Sequence, residues 1–386
     1  MQVITKTAAL SEFCARLRQH EFITVDTEFM REKTYYSMLC LIQVASKDEA
    51  AIIDPLSDEL DLAPLLEIMA DRSILKVFHA ARQDLEIFYE LMKEVPGPLF
   101  DTQIAAMACG HGDQVGYESL IREVTGEQVD KGSRFTDWSK RPLSDKQLTY
   151  ALGDVTHLVD AYEALVKELK DAGRMAWIEE EMKVLDEPTL YFTAPETAWQ
   201  RLKTRNLRPR ELDTLKHVAA WREREAISRN QPRSRILKDD GLFEVARAAP
   251  DTPQALGQLR AIPSGFERSR AAASLLEAIK AAKALPEEER SQREKRTHRQ
   301  PAPVDVLDLL RVLLKRQSEQ NGIAPKMLAS AADLEAIALE DNADVPAMKG
   351  WRREVFGNIA LRLKHGELAL ALKGKKVILI ETDQLG

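Results

Sequence analysis

The sequence predicts an α/β domain with a mixed sheet, followed by two all-α helical domains. Over the first 170 residues, short runs rich in β-branched and aromatic residues alternate with helix-spaced segments. From about Glu179 onward, strand signals nearly vanish. A chain of 386 residues also exceeds what one hydrophobic core ordinarily serves, so two or three units are expected.

Strand signals fall at residues 22–25, 39–44, 51–53 and 75–78. The first three follow one another without a long intervening helix, which predicts antiparallel neighbours. Helical spacing covers 60–69 and 84–92, and Ser144 is placed to cap a long helix running to Lys170. A short meander followed by strand–helix alternation gives the mixed sheet. In the second half, 210–229 and 266–284 have helical periodicity, punctuated by Pro232, Pro250 and Pro263. The stretch 286–300, PEEERSQREKRTHRQ, lacks apolar periodicity and reads as an exposed linker. A further helical group runs from 303 to 372. The expected domain limits are 1–175, 208–287 and 303–376.

Hydrophobic residues make up 44% and charged residues 30%, the balance of a soluble globular protein. No apolar run approaches the roughly 20 residues needed to cross a bilayer, so no membrane partner is expected. The N-terminus enters a strand-like pattern without a basic and apolar leader. Cys14, Cys40 and Cys109 are widely spaced, with no CxxC pair, and form neither a disulfide framework nor a zinc signature. A reducing cytoplasm is the expected compartment. No GxxxxGK[ST] loop is present, so neither a nucleotide cofactor nor a fused helicase is expected. A monomer is expected.

Charge is unevenly spread. The net charge is −7, yet residues 1–200 carry 20 Lys+Arg against 36 Asp+Glu, a net −16. Residues 201–300 carry 23 against 14, a net +9, and residues 301–386 carry 12 against 12. An acidic unit joined to a basic one implies separate tasks, one for cations and one for polyanions.

The acidic half holds the chemistry. In FITVDTEF (22–29) an apolar strand runs into Asp26 and Glu28, which at i and i+2 point to one side of the strand. Two carboxylates on one face repel unless a cation lies between them; a solvated strand end is the alternative. VFHAARQD (77–84) carries a strand into a helix whose first turns hold His79, Arg82 and Asp84. Asp84 there is also a favourable partner for the helix dipole. In YALGD (150–154), Tyr150 and Asp154 at i, i+4 share a helical face.

Four acids in order on strand, strand, helix and helix, with a tyrosine four residues before the last, resemble the DEDD exonuclease superfamily in its tyrosine branch. DTQIAA (101–106) and DKGSRFTDWSKRPLSDKQLTYALGDVTHL (130–158) sharpen the likeness to the ribonuclease D family. No histidine precedes Asp154 in the place that the histidine branch would require. The resemblance implies a ribonuclease H-like exonuclease domain and a 3′→5′ exoribonuclease that trims precursor-tRNA 3′ ends and releases 5′-mononucleotides. It also implies two divalent cations per site. Hydrolysis of a phosphodiester puts negative charge on attacking and leaving oxygens, and hard oxygen ligands suit Mg²⁺ or Mn²⁺. By resemblance, Asp26 bridges the two ions, Glu28 and Asp154 complete the nucleophile-side ion, and Asp84 holds the second, largely through water. Tyr150 orients the attacking water; with an ordinary phenol pKa of about 10 it is a poor general base.

Phe29 and Met30 are candidate wedges against the terminal bases, with packing under a loop as the alternative. His79, Lys131, Trp138 and Arg141 are candidate RNA contacts. The run 201–235 holds 11 Lys+Arg against 4 acids and is a candidate nucleic-acid face. Within it begins WREREAISRNQPRSRILKDDGLFEVA (221–246), which resembles the HRDC domain, a small helical module shared with RecQ-type helicases. Residues 303–376 look like a second, more divergent copy, whose balanced charge implies weaker RNA binding, as a spacer or as a domain that closes a ring with the first. Two other functions are compatible with parts of this pattern. A DNA 3′→5′ exonuclease would share the acids, and a silent RNA-binding protein would share the fold.

Overall fold

The computed structural model describes residues 3–129, 132, 136–204, 207–292 and 301–384. Lys131 and most of the 286–300 linker lie outside the described residues. A six-stranded sheet in the order β1-β4-β3-β2-β5-β6 builds the first domain. Its strands are β1 (Val3–Ile4), β2 (Phe22–Met30), β3 (Met38–Ala45), β4 (Ala50–Ile53), β5 (Leu75–Phe78) and β6 (Leu99–Asp101). The β2–β3 and β3–β4 pairs are antiparallel, while β2–β5 and β5–β6 are parallel, which is the mixed sheet expected from the pattern.

β2 is longer than its apolar run suggested. Beyond Val25 its residues are polar on one side, yet β3 continues the ladder, pairing Asp26 with Gln43 and Glu28 with Leu41. A bulge between Glu28 and Phe29 then shifts the register. On the other side, β5 pairs with β2 only at Phe22, Ile23 and Thr24. Past that point β2 is flanked on one edge alone, and the space that β5 vacates becomes the cleft.

Among the described residues this domain holds seven helices: α1 (Thr7–Leu17), α2 (Ala63–Ala70), α3 (Arg82–Met92), α4 (Thr102–Cys109), α5 (Tyr117–Val124), α6 (Asp145–Asp171) and α7 (Met175–Leu185). α6 begins at the expected cap, where Ser144 and Gln147 each bond the other's backbone N–H. It is fixed to the sheet by the buried Thr24 hydroxyl, which donates to the Val155 carbonyl at 2.8 Å. That contact sets the next residue back, Asp154, opposite the end of β2.

The basic half forms α8 (Pro209–Ser228), the single turn α9 (Arg233–Ile236), α10 (Asp239–Ala248), α11 (Pro253–Gly257) and α12 (Arg270–Lys283) around their own core. The last part repeats the opening order: long α13 (Val304–Asn321), single turn α14 (Pro325–Leu328), then α15 (Ala331–Leu339). α16 (Gly350–Arg352) continues through a wide turn at Arg353–Gly357 into α17 (Asn358–Lys364). Helix then gives way to a hairpin, β7 (Leu368–Lys373) and β8 (Lys376–Glu381), where the pattern had suggested continuing helix. Leucine and alanine are good helix formers, so LALAL misled; Gly374, at φ 63, opens the two-residue turn as a type II′ turn requires.

This last domain is no detached spacer. Ile323, Met327, Leu328 and Trp351 join the core of the catalytic domain. Trp351 stacks on Trp177 at 4.4 Å, and Arg352 pairs with Glu181 at 2.6 Å. No helix among the described residues is long and apolar enough to cross a membrane.

Candidate active site

A cleft of about 770 Å³ opens at the exposed end of β2. Asp26 and Glu28 reach it from β2, Asp84 from the first turn of α3, and Tyr150 and Asp154 from one face of α6. The five residues expected to be catalytic therefore meet in one place. Carboxylate oxygens of Asp26, Glu28 and Asp154 lie within 4.8 Å of one another. Asp84 stands apart from this trio and accepts a hydrogen bond from the Thr27 hydroxyl.

Crowding of acids has an electrostatic signature. Burial, then the charges of Asp84, Asp154 and Glu28, push the Asp26 carboxyl well above the usual carboxylate range. Burial raises Asp84 to about 7, against the opposing pull of the Thr27 hydroxyl. Burial and the neighbouring acids also raise the Tyr150 phenol, which keeps its proton and hydrogen-bonds with Asp154. The donor set fits a hard divalent cation: three carboxylates converge, and a cation would offset the repulsion that opposes the ionisation of Asp26.

Several positioning groups escaped the sequence reading. Asp101 is buried; its carboxylate accepts the N–H groups of Ala80 and Ala81 at 3.0 and 2.9 Å and caps α4 through Gln103 N–H at 2.8 Å. It thereby holds the left-handed turn at Ala80, φ 58, from which α3 and Asp84 start. An aspartate two residues before Gln103 in DTQIAA is a recognisable N-cap, but nothing in the sequence tells that it also serves a turn twenty residues away. Tyr117 lines the cleft and donates to the Gly153 carbonyl at 2.8 Å, bracing α6 beside Asp154. No local motif marks it.

The expected RNA contacts divide. Phe29 lines the cleft, whereas Met30 packs against the small core around Cys40 and Trp138. His79 borders the cleft with both ring nitrogens engaged by the protein, Nδ1 with Thr102 at 3.0 Å and Nε2 with the Val115 carbonyl at 3.1 Å. Burial lowers its pKa, so the ring is neutral and Nε2–H donates. Trp138 and Arg141 do not line the cleft. Trp138 is buried, and Arg141 grips Asp54 at 2.6 and 2.7 Å and the Cys40 carbonyl at 2.8 Å, fastening the loop to the sheet. Burial of the Trp138 ring, whose N–H has no hydrogen-bond partner, and the engagement of the Arg141 guanidinium by the fold remove both as RNA contacts.

Comparison with known proteins bears on this geometry. Residues 1–170 match the family described as 3′-5′ exonuclease, and residues 211–279 match the HRDC domain. Ribonuclease D of Nitrobacter hamburgensis is 49% identical over 381 residues, covering 99% of this chain and 100% of that one. Ribonuclease D of Granulibacter bethesdensis is 48% identical, with 98% and 96% covered. Among solved structures, Escherichia coli RNase D, described as an exoribonuclease involved in structured RNA processing, superposes with a TM-score of 0.80. It is 32% identical and covers 95% of this chain and 98% of that one.

Proposed function

The chain belongs to the ribonuclease D family and is a 3′→5′ exoribonuclease, and from that premise we propose that it trims the 3′ ends of precursor tRNAs and other structured RNAs, releasing 5′-mononucleotides by two-metal-ion hydrolysis. The observation that carries this reading is the convergence of Asp26, Glu28 and Asp154, with Asp84 and Tyr150 on the same cleft. The structured-RNA role of the E. coli relative supports the choice of substrate.

In this reading Asp26, Glu28 and Asp154 would hold one Mg²⁺ or Mn²⁺ ion, and Asp26 and Asp84 would hold a second. When bound, the ions supply positive charge to the attacking and leaving oxygens. The protein's own residues do the rest. Tyr150 holds its proton, so it positions a water by hydrogen bond and takes no proton from it. Phe29, beside Glu28, offers a flat apolar face on which a terminal base stacks, a sequence-tolerant contact worth about 1–3 kcal/mol. The acidic cleft repels phosphates elsewhere, so grip on the RNA body falls to the basic domain. The enzyme works as a cytoplasmic monomer without a nucleotide cofactor.

Matched end-labelled RNA and DNA oligonucleotides, digested with and without Mg²⁺, test this function. Stepwise shortening of RNA from the 3′ end, only with the metal and with 5′-mononucleotide products, is expected. Preferential digestion of DNA, or internal cleavage, would overturn it.

A further inference from the structure

We propose that Tyr35 is a positioning residue that latches the first helical domain to the rim of the cleft, and that this latch selects structured RNA over short RNA. The proposal rests on the exoribonuclease reading above. The loop between β2 and β3, residues 31–37, leaves directly from Phe29 and Met30. Tyr35 crosses from it into the neighbouring domain, packing against that domain's core. Its hydroxyl donates to Glu223 on α8, a carboxylate only 1% exposed. Arg233 of α9 completes the site: Nε donates to Glu223 at 2.6 Å, Nη2 donates to the Tyr35 hydroxyl at 3.0 Å, and the guanidinium lies 4.7 Å over the Tyr35 ring. Asn230, between α8 and α9, accepts the backbone N–H groups of both Tyr35 and Tyr36 at 3.1 Å.

The same loop is tied on its other side. Arg31 pairs with Glu86 of α3, two residues beyond Asp84. One short loop therefore joins the element that carries Asp26 and Glu28, the element that carries Asp84, and the basic domain. A buried carboxylate contributes little net stability, since desolvation offsets its pairing. What a directional network of this kind supplies is a single orientation of the two domains. An RNA whose body rests on the basic domain then has its 3′ end delivered at a fixed distance from the acids. A short oligonucleotide reaches the cleft without that support.

The test uses the full-length chain in three forms: wild type, Tyr35→Phe, and Tyr35→Ala combined with Asn230→Gly. Tyr35→Phe keeps the ring under Arg233, and Asn230→Gly keeps the left-handed backbone at φ 46 without strain. Turnover is measured on a hairpin RNA with a 3′ overhang and on a short unstructured oligonucleotide, alongside small-angle X-ray scattering. The double variant is expected to lose about tenfold or more in kcat/KM on the hairpin, mainly in kcat, because misplacement of a bound end costs rate. The oligonucleotide should be trimmed at the wild-type rate, scattering should show a looser particle, and Tyr35→Phe should fall between. Equal losses on both substrates, or none on the hairpin, would overturn the proposal. If the wild type trims neither RNA, it is the exoribonuclease reading that fails, and scattering judges the latch alone: an unchanged particle in the double variant removes it.

Discussion

Asp26 sits where burial and three neighbouring acids oppose its ionisation, so the site without a cation is a strained one. Asp26→Asn should therefore raise the thermal stability of the metal-free protein while abolishing hydrolysis and removing the stabilisation that Mg²⁺ gives the wild type. Differential scanning calorimetry in EDTA and in Mg²⁺ separates these effects, and a less stable metal-free variant would contradict the strain. The pH dependence has a definite sign. Asp84 rises from 3.8 to about 7, so the folded state holds that proton more tightly than the unfolded chain does. The contribution of Asp84 to metal-free stability is then fully present below about pH 4 and is lost as pH rises to about 7. In EDTA, Asp84→Asn should gain stability relative to the wild type as pH rises from about 4 to about 7, and an unchanged difference between the two would refute it. Tyr150 differs from the acids because its phenol keeps its proton. Tyr150→Phe should lower kcat by about 100-fold or more with metal and RNA affinity little changed, the pattern of a contact made mainly in the transition state. Single-turnover kinetics beside Mn²⁺ titration would show this, and a parallel loss of metal affinity would reassign the residue. Spacing put Asp26 with Glu28, and Tyr150 with Asp154, on common faces, but it was the resemblance to the DEDD exonucleases that singled these residues and Asp84 out from other acids. The fate of Trp138 and Arg141 was not legible in the sequence, because only the folded loop shows that the Trp138 ring is buried and that Asp54 and three carbonyls already occupy the guanidinium.

At the level of elements, the β2–β5 register and the turn before α3 decide where Asp84 lies. Asp101 holds that turn through two backbone N–H groups while capping α4, and it touches no group that reacts. Asp101→Ala leaves buried donors unpaired, at a cost of about 1–3 kcal/mol for each. The expected result is a lower Tm together with weaker metal binding, because α3 loses its fixed start. Asp101→Asn, which retains one acceptor, should recover part of both; unchanged metal affinity in the alanine variant would show that α3 needs no such support. Periodicity located the four central strands, the long helix and its Ser144 cap, since each is governed by local spacing and capping chemistry. It stopped β2 short because the ladder past Val25 is supplied by β3, a non-local partner. The terminal hairpin was hidden for the converse reason: its leucines and alanines suit a helix, and a turn glycine with a distant core decides otherwise.

Across the whole molecule, division of charge and sharing of cores define what each domain does. The last domain contributes side chains to the catalytic core, so the basic domain is best probed by substitution within the intact chain. Part of its basic run is committed internally, Arg222 to Asp239 and Arg233 to Glu223. Lys203, Arg210, Arg235 and Lys238 are exposed. Reversing Arg210 and Arg235 to glutamate should weaken binding of structured RNA and flatten its salt dependence by about 0.7 in log–log slope for each lost phosphate contact. Affinities and slopes equal to wild type across a salt series would make this run only a solvated face. In the proposed mechanism the four carboxylates bind two cations. Isothermal titration of Mn²⁺ into the full-length protein and into Asp26→Ala tests it most directly. Two ions per chain, taken up with proton release and lost together in the variant, is the predicted result; unaltered binding in Asp26→Ala, or none in the wild type, would contradict it.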